Sequence, residues 1–346
     1  MLLSELAGAT AHEKCTGKDT PIASLQYNSR KVGKGDLFFC VVGTFSDGHA
    51  YAAQAVAAGA AALVVEHELP LPVPQVVVEN TRIAMAEMAA AFYGYPARGM
   101  RIVGVTGTNG KTSTTYMLKA IAEQCGLKVG LIGTIRNLIG ERIVDTERTT
   151  PESVDLQRIL REMKDESVEL VVADAGCTHV VMEASSHSLD QRRVHGIEFE
   201  TAVFTNLTQD HLDYHKTFEN YLAAKMRIFA QARQAVVNRD DPHAQTILNG
   251  LTIPCKTFGI REQADISASE IDITTRGVQF DMHCPLGTIR MYVPIPGLFS
   301  VFNAMGAVAA AIQLGLPLSA VKNGIETMGS VSGRLEPLPT GGRNFT

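Results

Sequence analysis

Residues 101–112 read Arg-Ile-Val-Gly-Val-Thr-Gly-Thr-Asn-Gly-Lys-Thr. A β-branched run enters a glycine-rich turn, and the turn opens onto a helical pattern with apolar residues at 117, 118, 121, 122 and 125. Strand, glycine turn and helix in that order make a cradle for phosphate. Successive backbone N–H groups turn toward the anion, and the helix N-terminus adds partial positive charge. Lys111 then reaches the β and γ oxygens, and the Thr112 hydroxyl is placed to ligate Mg²⁺. The strict Walker spacing asks for glycine at 105, where this chain has Val105; its nearest glycines are Gly104 and Gly107. An ordinary tight strand-to-helix turn is the alternative, although packing gives little reason for Gly-Lys-Thr at that point.

Outward from this stretch, short β-branched or aromatic runs alternate with alanine-rich helical patterns, which is the sequence form of helices covering a mostly parallel sheet. The predicted class is α/β. Before it, strands are expected at 36–42, 62–65 and 75–78 and helices at 50–58 and 81–93. Gly94, Pro96 and Gly99 then place a domain boundary near 97. After it, strand-like runs fall at 101–105, 179–183, 201–205 and 235–238. The stretches 266–273, 278–284 and 288–293 alternate with the period of two expected of antiparallel strands with one wet face. Helices follow at about 300–314 and 318–327, and past Arg334 the composition is that of a linker. The expected organisation is therefore a domain over 1–97, a second over 98–335 with a small antiparallel portion, and a linker over 336–346 at which the chain looks cut.

Composition narrows the function classes. The chain has 346 residues, 45% of them apolar and 19% charged, which excludes disorder and allows two cores. Its 31 basic and 36 acidic residues give a net charge of −5, with no basic run to track a nucleic-acid backbone. Six cysteines stand singly at 15, 40, 125, 177, 255 and 284, which fits a reducing compartment. The start carries Glu5 and no basic segment, so no signal peptide is read. The longest apolar stretches are broken well short of the about 20 residues a membrane span needs. The expectation is a cytoplasmic monomer with no nucleic-acid or membrane partner.

Two further groups of polar residues leave strand ends, where ligands bind in open α/β sheets. His179-Val-Val-Met-Glu183 places Glu183 as a Mg²⁺-holding acid beside the Lys111 loop, with an exposed loop carboxylate as the alternative. Phe204 to His215 gathers Asn206, Asp210, His211, Asp213 and His215 within a short span. That density reads as a metal or anion site; zinc fits it in isolation, and Mg²⁺ with phosphate oxygens fits the neighbouring loop better. Lys225 lies in a helix predicted over 221–229, on the side shared by 222, 226 and 229. Burial there lowers an ammonium's pKa and leaves a reactive amine, while a snorkelling lysine is the alternative.

The ordered set Thr106 to Thr112 (TGTNGKT), Thr149-Thr-Pro151, Met182 to His187 (MEASSH), Thr205 to His215 (TNLTQDHLDYH), Ala224-Lys225 and Val331 to Glu336 (VSGRLE) resembles the Mur ligases from about residue 25 onward. Within that family it is similar to members that add the third amino acid of the peptidoglycan stem peptide. The resemblance implies an ATP-dependent ligase that joins an acid to an amino acid, and so a place in cell-wall growth, cell shape and division. It implies a first domain for UDP-N-acetylmuramoyl-L-alanyl-D-glutamate, in which Tyr27, Ser29, Thr44, Phe45 and Ser46 contact the nucleotide. By the same carry-over Thr149, Thr150, Ser185, Gln191 and Arg193 hold the muramoyl dipeptide. ATP falls to Thr106, Gly107, Thr108, Asn109, Gly110, Lys111, Thr112, Asn303 (adenine) and Arg334 (phosphates). Mg²⁺ falls to Thr112, Glu183, His211 and a carbamylated Lys225, and the catalytic set is Lys111, Lys225 and His211.

The implied reaction moves the γ-phosphoryl of ATP onto a substrate carboxylate, and the acyl phosphate is then attacked by an amine. Two anions must approach, which costs Coulomb energy unless cations stand between them. An unmodified ammonium at 225 would repel a metal, whereas a carbamate reverses the sign. Two departures stand out. The connection between Pro151 and Cys177, with Asp165 to Val172, is longer than the family's, and the chain stops where a third domain with the amino-acid pocket would begin. The expectation is weak ligand binding with little turnover by this chain alone. A folylpolyglutamate synthetase-like ligase and a non-catalytic nucleotide-binding module are the alternatives.

Overall fold

The computed structural model describes residues 1–44, 46–144, 149–166 and 179–329. Two compact units emerge: Met1–Arg98 with Pro151–Glu162 and Ser188–Ile197, and Gly99–Thr150 with Met163–His187 and Glu198–Thr346. Pro151–Glu162 and Ser188–Ile197 thus pack with the first unit, although the sequence reading counts them in the second. The expected linker over 336–346 lies outside the described residues.

The first unit runs α1 (Leu3–Ala7), β1 (Lys14–Thr16), β2 (Ser24–Gln26), β3 (Asp36–Phe39), α2 (Ala52–Ala58), β4 (Ala62–Val65), β5 (Gln75–Val77) and α3 (Thr81–Phe92). Its sheet has the order β1-β5-β4-β3-β2, parallel except for β1. Alternation in β3 sorts the core: Leu37 and Phe39 join Leu6, Met85 and Met88, whereas Phe38 and Cys40 join Ala52, Ala55 and Leu63 on the other face. The helix expected from residue 50 begins instead as a 3₁₀ turn, Gly48–Tyr51, because the Asp47 side chain accepts the His49 N–H and tightens the entry.

The second unit continues with β6 (Arg101–Thr106), α4 (Lys111–Glu123), β7 (Val129–Ile132), β8 (Asn137–Ile139), β9 (Arg142–Val144), α5 (Ser153–Asp165), β10 (His179–Glu183), α6 (Ser186–Asp190), β11 (Phe199–Phe204), α7 (Leu212–His215), α8 (Phe218–Met226), β12 (Ala232–Asn238) and α9 (Ala244–Gly250). It ends with β13 (Cys255–Gly259), β14 (Ile266–Ile273), β15 (Val278–Cys284), β16 (Gly287–Val293), α10 (Leu298–Gln313) and α11 (Leu318–Thr327). Two of these helices are divided between the units: α5 packs with the first up to Glu162, and α6 from Ser188 onward. The described strands form one sheet, β16-β15-β14-β13-β12-β11-β6-β10-β7-β8-β9. From β14 to β7 the neighbours are parallel, and both ends of the sheet finish in antiparallel ladders. The expected antiparallel portion is β14–β16; the β7–β9 meander and β13 were not anticipated.

Helix α10 is apolar on nearly every side, and its Ala304, Ala307, Ala309, Ala310 and Ala311 are fully buried between α4 and the sheet. Small side chains let it approach closely; Gly306 faces the Phe258 ring and Val203. Gly104 in the middle of β6 has the same kind of role: a Cβ there would stand 2.7 Å from both the Phe199 ring and Ile228. Helix α8 starts at Phe218, where Thr217 accepts the Asn220 N–H, and ends at Met226. The sequence placed it three residues later, because Ile228 and Phe229 extend its apolar pattern into a following 3₁₀ turn, Phe229–Gln231.

Candidate functional site

The turn between β6 and α4 is built on two glycines. Gly107 has φ +146°, a backbone region that side chains rarely enter, and a Cβ on it would overlap the Thr205 hydroxyl and stand 3.1 Å from the Asn206 backbone. Gly110, at φ +87°, caps α4, and a Cβ there would overlap the Asn303 side-chain oxygen. Gly104 serves packing, so the missing glycine at 105 costs the turn nothing. The turn is tied to the exit of β11. The Asn109 N–H donates to Asn206 Oδ1 (2.9 Å) while Asn206 Nδ2 donates to the Asn109 carbonyl (3.0 Å), so one side-chain amide pairs both ways with backbone. The Thr108 N–H donates to the Asn206 carbonyl (2.8 Å), and the Thr205 hydroxyl donates to the Asn109 carbonyl (2.6 Å). Thr106 is buried, and its hydroxyl has no partner among the described residues.

Lys111 curls over this turn and donates to the carbonyls of Gly107 (2.9 Å) and Thr108 (2.8 Å). The next residue of α4, Thr112, donates to Glu183 Oε1 (3.0 Å). Glu183 ends β10 as expected, but it is fully buried rather than an exposed loop carboxylate. Thr134 holds both of its oxygens, the backbone N–H on Oε1 and the hydroxyl on Oε2, each at 2.9 Å. Gly133 makes room, since a Cβ there would stand 2.6 Å from Glu183 Oε1. The Thr150 hydroxyl donates to the Glu183 carbonyl (2.8 Å), and the Ser185 N–H to Thr150 Oγ1 (3.4 Å). A buried carboxylate beside a hydroxyl is a hard-oxygen donor pair of the kind Mg²⁺ takes, the rest of its shell being water and phosphate. Among the described residues no group of three or more His, Cys, Asp or Glu converges on a metal position.

Lys225 lies 1% exposed on α8, with Nζ donating to the Gly107 carbonyl (2.8 Å) and standing 4.5 Å from the centre of the Tyr221 ring. It is not a snorkelling lysine. Burial first, and the Lys111 cation second, hold its pKa well below the ordinary lysine value, against the pull of Asp210. Both lysines therefore converge on one carbonyl of the phosphate turn. Tyr221 in turn hydrogen-bonds Thr108 Oγ1 (3.1 Å). His211 takes a left-handed conformation (φ 53°) at the start of α7 and keeps its side chain 46% exposed, edge-on to His187 with ring centres 4.8 Å apart. His215 is buried against Ser186 (2.9 Å), and Asp213 is exposed. The cluster at 206–215 thus divides: Asn206 braces the turn, His215 is a packed residue, and His211 and Asp210 are accessible.

Asn303 on α10 is buried and borders a cavity of about 860 Å³ that also takes in Asn109, Thr112, Asp240, Pro242 and Phe302. Phe299 stands half exposed at its wall. In the first unit, Tyr27 donates to Asp155 (2.5 Å) and Ser29 to Gln54 (3.5 Å). Thr44 and Ser46 sit in a turn closed by the Gly43 N–H on the Ser46 carbonyl (2.9 Å). Gln191 accepts from Arg193 Nη2 (2.5 Å). Phe45 and Arg334 lie outside the described residues. Sequence reasoning missed Thr134 and Tyr221, and gave Asn206 no bracing role; only the threonine following Gly133 hinted at the first.

Two family descriptions match the chain: "Mur ligase middle domain" over residues 105–311 and "Mur ligase family, catalytic domain" over residues 21–93. A UDP-N-acetylmuramoyl-L-alanyl-D-glutamate–2,6-diaminopimelate ligase from Geobacillus thermodenitrificans is 44% identical, covering 100% of this chain and 70% of that protein. One from Clostridium acetobutylicum is 43% identical, covering 97% and 68%. A solved structure of a ligase of the same name superposes with a TM-score of 0.77 at 29% identity, covering 91% of this chain and 64% of that one. The chain spans about two thirds of the length of these relatives.

Proposed function

The chain belongs to the Mur ligase family, and on that premise we propose that it carries the nucleotide and UDP-substrate portions of an ATP-dependent ligase acting on UDP-N-acetylmuramoyl-L-alanyl-D-glutamate. The single observation that supports this most is the convergence of Lys111 and Lys225 on the Gly107 carbonyl, with the Thr112–Glu183 pair beginning at the residue after Lys111. That arrangement sets two amines, a hydroxyl and a buried carboxylate around a helix N-terminus, where the terminal phosphate of ATP meets an incoming carboxylate.

In this reading the N-terminus of α4 and Lys111 bind the β and γ oxygens, with Lys111 exchanging its two carbonyl contacts for phosphate, while the Thr108 and Asn109 N–H groups stay on Asn206. Thr112, Glu183, His211 and a carbamylated Lys225 would hold Mg²⁺, which would supply positive charge between the two anions. The carboxylate oxygen forms a bond to the γ-phosphorus as the bond to ADP breaks. The amine of the incoming amino acid then attacks the acyl carbon, a C–N bond forms, and phosphate leaves. Lys225 is suited to carbamylation because burial favours its neutral amine, whose nitrogen adds to CO₂ with loss of a proton. Asn303 and the cavity beside it receive the base, and the first unit holds the uridine nucleotide and contributes Gln191 and Arg193 to the dipeptide. The relatives' names supply 2,6-diaminopimelate as the amino acid. The described cysteines are all free and no described helix is long and apolar enough to cross a membrane, in keeping with work in the cytoplasm where ATP is available.

The test is a thermal-shift titration with a non-hydrolysable ATP analogue and Mg²⁺. At about 100 times Kd a ligand adds about 2.7 kcal/mol to stability. Lys111→Ala is expected to abolish the shift; retention of the full response in that variant would refute the cradle.

A further inference from the structure

Arg82 occupies the second position of α3, two residues after the Asn80 cap, in a first turn that holds no acidic residue. A cation there opposes the helix dipole, so helix formation gives no reason for it. Its guanidinium serves three acceptors on three chain segments of the first unit. Nε donates to the Val42 carbonyl (3.3 Å), and Nη1 faces Glu152 Oε2 (3.4 Å) and the Gln191 carbonyl (3.4 Å). Glu152 is itself buried and pairs through its other oxygen with Arg193 Nε (3.1 Å). Between Gln191 and Arg193, Arg192 holds a left-handed backbone (φ 58°), a conformation that persists only where its surroundings impose it.

Two of the three anchors adjoin or belong to residues assigned to the UDP-substrate, and the third, Glu152, pairs with one of those residues, Arg193. Val42 lies just ahead of the turn with Thr44 and Ser46, and Gln191 and Arg193 are the other group assigned to the UDP-substrate. We propose that Arg82 is a positioning residue that fixes the spacing between the part of the first unit that receives the nucleotide and the part that receives the peptide. The inference rests on the substrate reading given above and goes beyond it. A planar fork can bridge several acceptors at once, whereas an ammonium of similar charge is a point donor. A ligand that spans both parts gains over its nucleotide alone only while the two parts keep that spacing.

Isothermal calorimetry on the full chain tests this with UDP and with UDP-N-acetylmuramoyl-L-alanyl-D-glutamate, for wild type, Arg82→Ala and Arg82→Lys. In both variants the affinity ratio of the long ligand to UDP is expected to fall at least tenfold, with UDP itself changed less than threefold. An unchanged ratio overturns the proposal, as does equal weakening of both ligands with a lowered melting temperature, the mark of a merely structural residue. Should Arg82→Ala not fold, Arg82→Lys decides alone, since it keeps the charge and loses the fork. A wild-type chain that binds UDP-muramoyl dipeptide with an unchanged ratio in the variants sinks this inference only; a wild-type chain that does not bind it removes the substrate reading and the inference together.

Discussion

Replacing Gly107 with alanine adds one methyl group at the point where the phosphate turn touches the exit of β11. The residue's φ of +146° lies where a side chain costs about 1–3 kcal/mol. The new Cβ also overlaps the Thr205 hydroxyl and stands 3.1 Å from Asn206 N and O, an overpacking that costs about 1–3 kcal/mol more. Thr205 cannot swing aside freely, because its hydroxyl donates to the Asn109 carbonyl (2.6 Å), with the Thr106 carbonyl farther off (3.3 Å), a bond worth about 1 kcal/mol. The sum centres on about 4 kcal/mol, which at about 2 °C per kcal/mol for a unit of this size lowers its melting point by about 8 °C. Gly126→Ala is the control: it has φ +73° and nothing within 4 Å of the new Cβ, so it carries only the backbone cost, about 1 kcal/mol. Differential scanning calorimetry of both variants, with and without an ATP analogue, reads the difference. If Gly107→Ala melts no lower than Gly126→Ala, the close fit between turn and β11 exit is not what holds the cradle, and the reasoning fails.

Two other outcomes follow from burial. Because Lys225 has a depressed pKa in the fold, the unfolded chain binds more protons between that value and the ordinary lysine range, and stability rises with pH there. In CO₂-free buffer, the stability of wild type relative to Lys225→Met is expected to climb through that interval and to stay level below it; a difference independent of pH in urea titrations would contradict the buried, depressed amine. Gly324 on α11 meets the backbone of α4, where a Cβ would stand 2.6 Å from Ile121 Cα, so Gly324→Ala is expected to destabilise by about 1–3 kcal/mol. A urea midpoint within error of wild type would show that the two helices part without cost.

Much of the site could be read from the chain because its chemistry is local. The Gly107–Thr112 turn, Glu183 at a strand end and the buried side of the Lys225 helix each follow from spacing within a dozen residues. What stayed hidden depends on partners far away in sequence. Thr134 finds Glu183 across 49 positions, Asn206 finds Asn109 across 97, and Arg82 finds Gln191 across 109. No periodicity encodes such meetings. Among the strands, β7 was missed because Gly130 breaks its apolar run, although that glycine is needed where Met163 packs: a Cβ would stand 2.5 Å from its sulfur. The β8–β9 hairpin is too short to display alternation. The start of α8 was misplaced because Ile228 and Phe229 keep the helical spacing after the helix has ended, being buried for reasons of tertiary packing.

The strand that feeds the phosphate turn, β6, lies between β11 and β10, far from either edge of its sheet. Its amides can open only by disrupting ladders on both sides, so they are expected to exchange with solvent deuterium among the slowest in that unit. The turn therefore inherits the rigidity of the sheet's interior. In the proposed binding mode Lys111 must still exchange its two carbonyl contacts for phosphate, so the cost of receiving nucleotide would fall on one side chain rather than on the backbone of the turn.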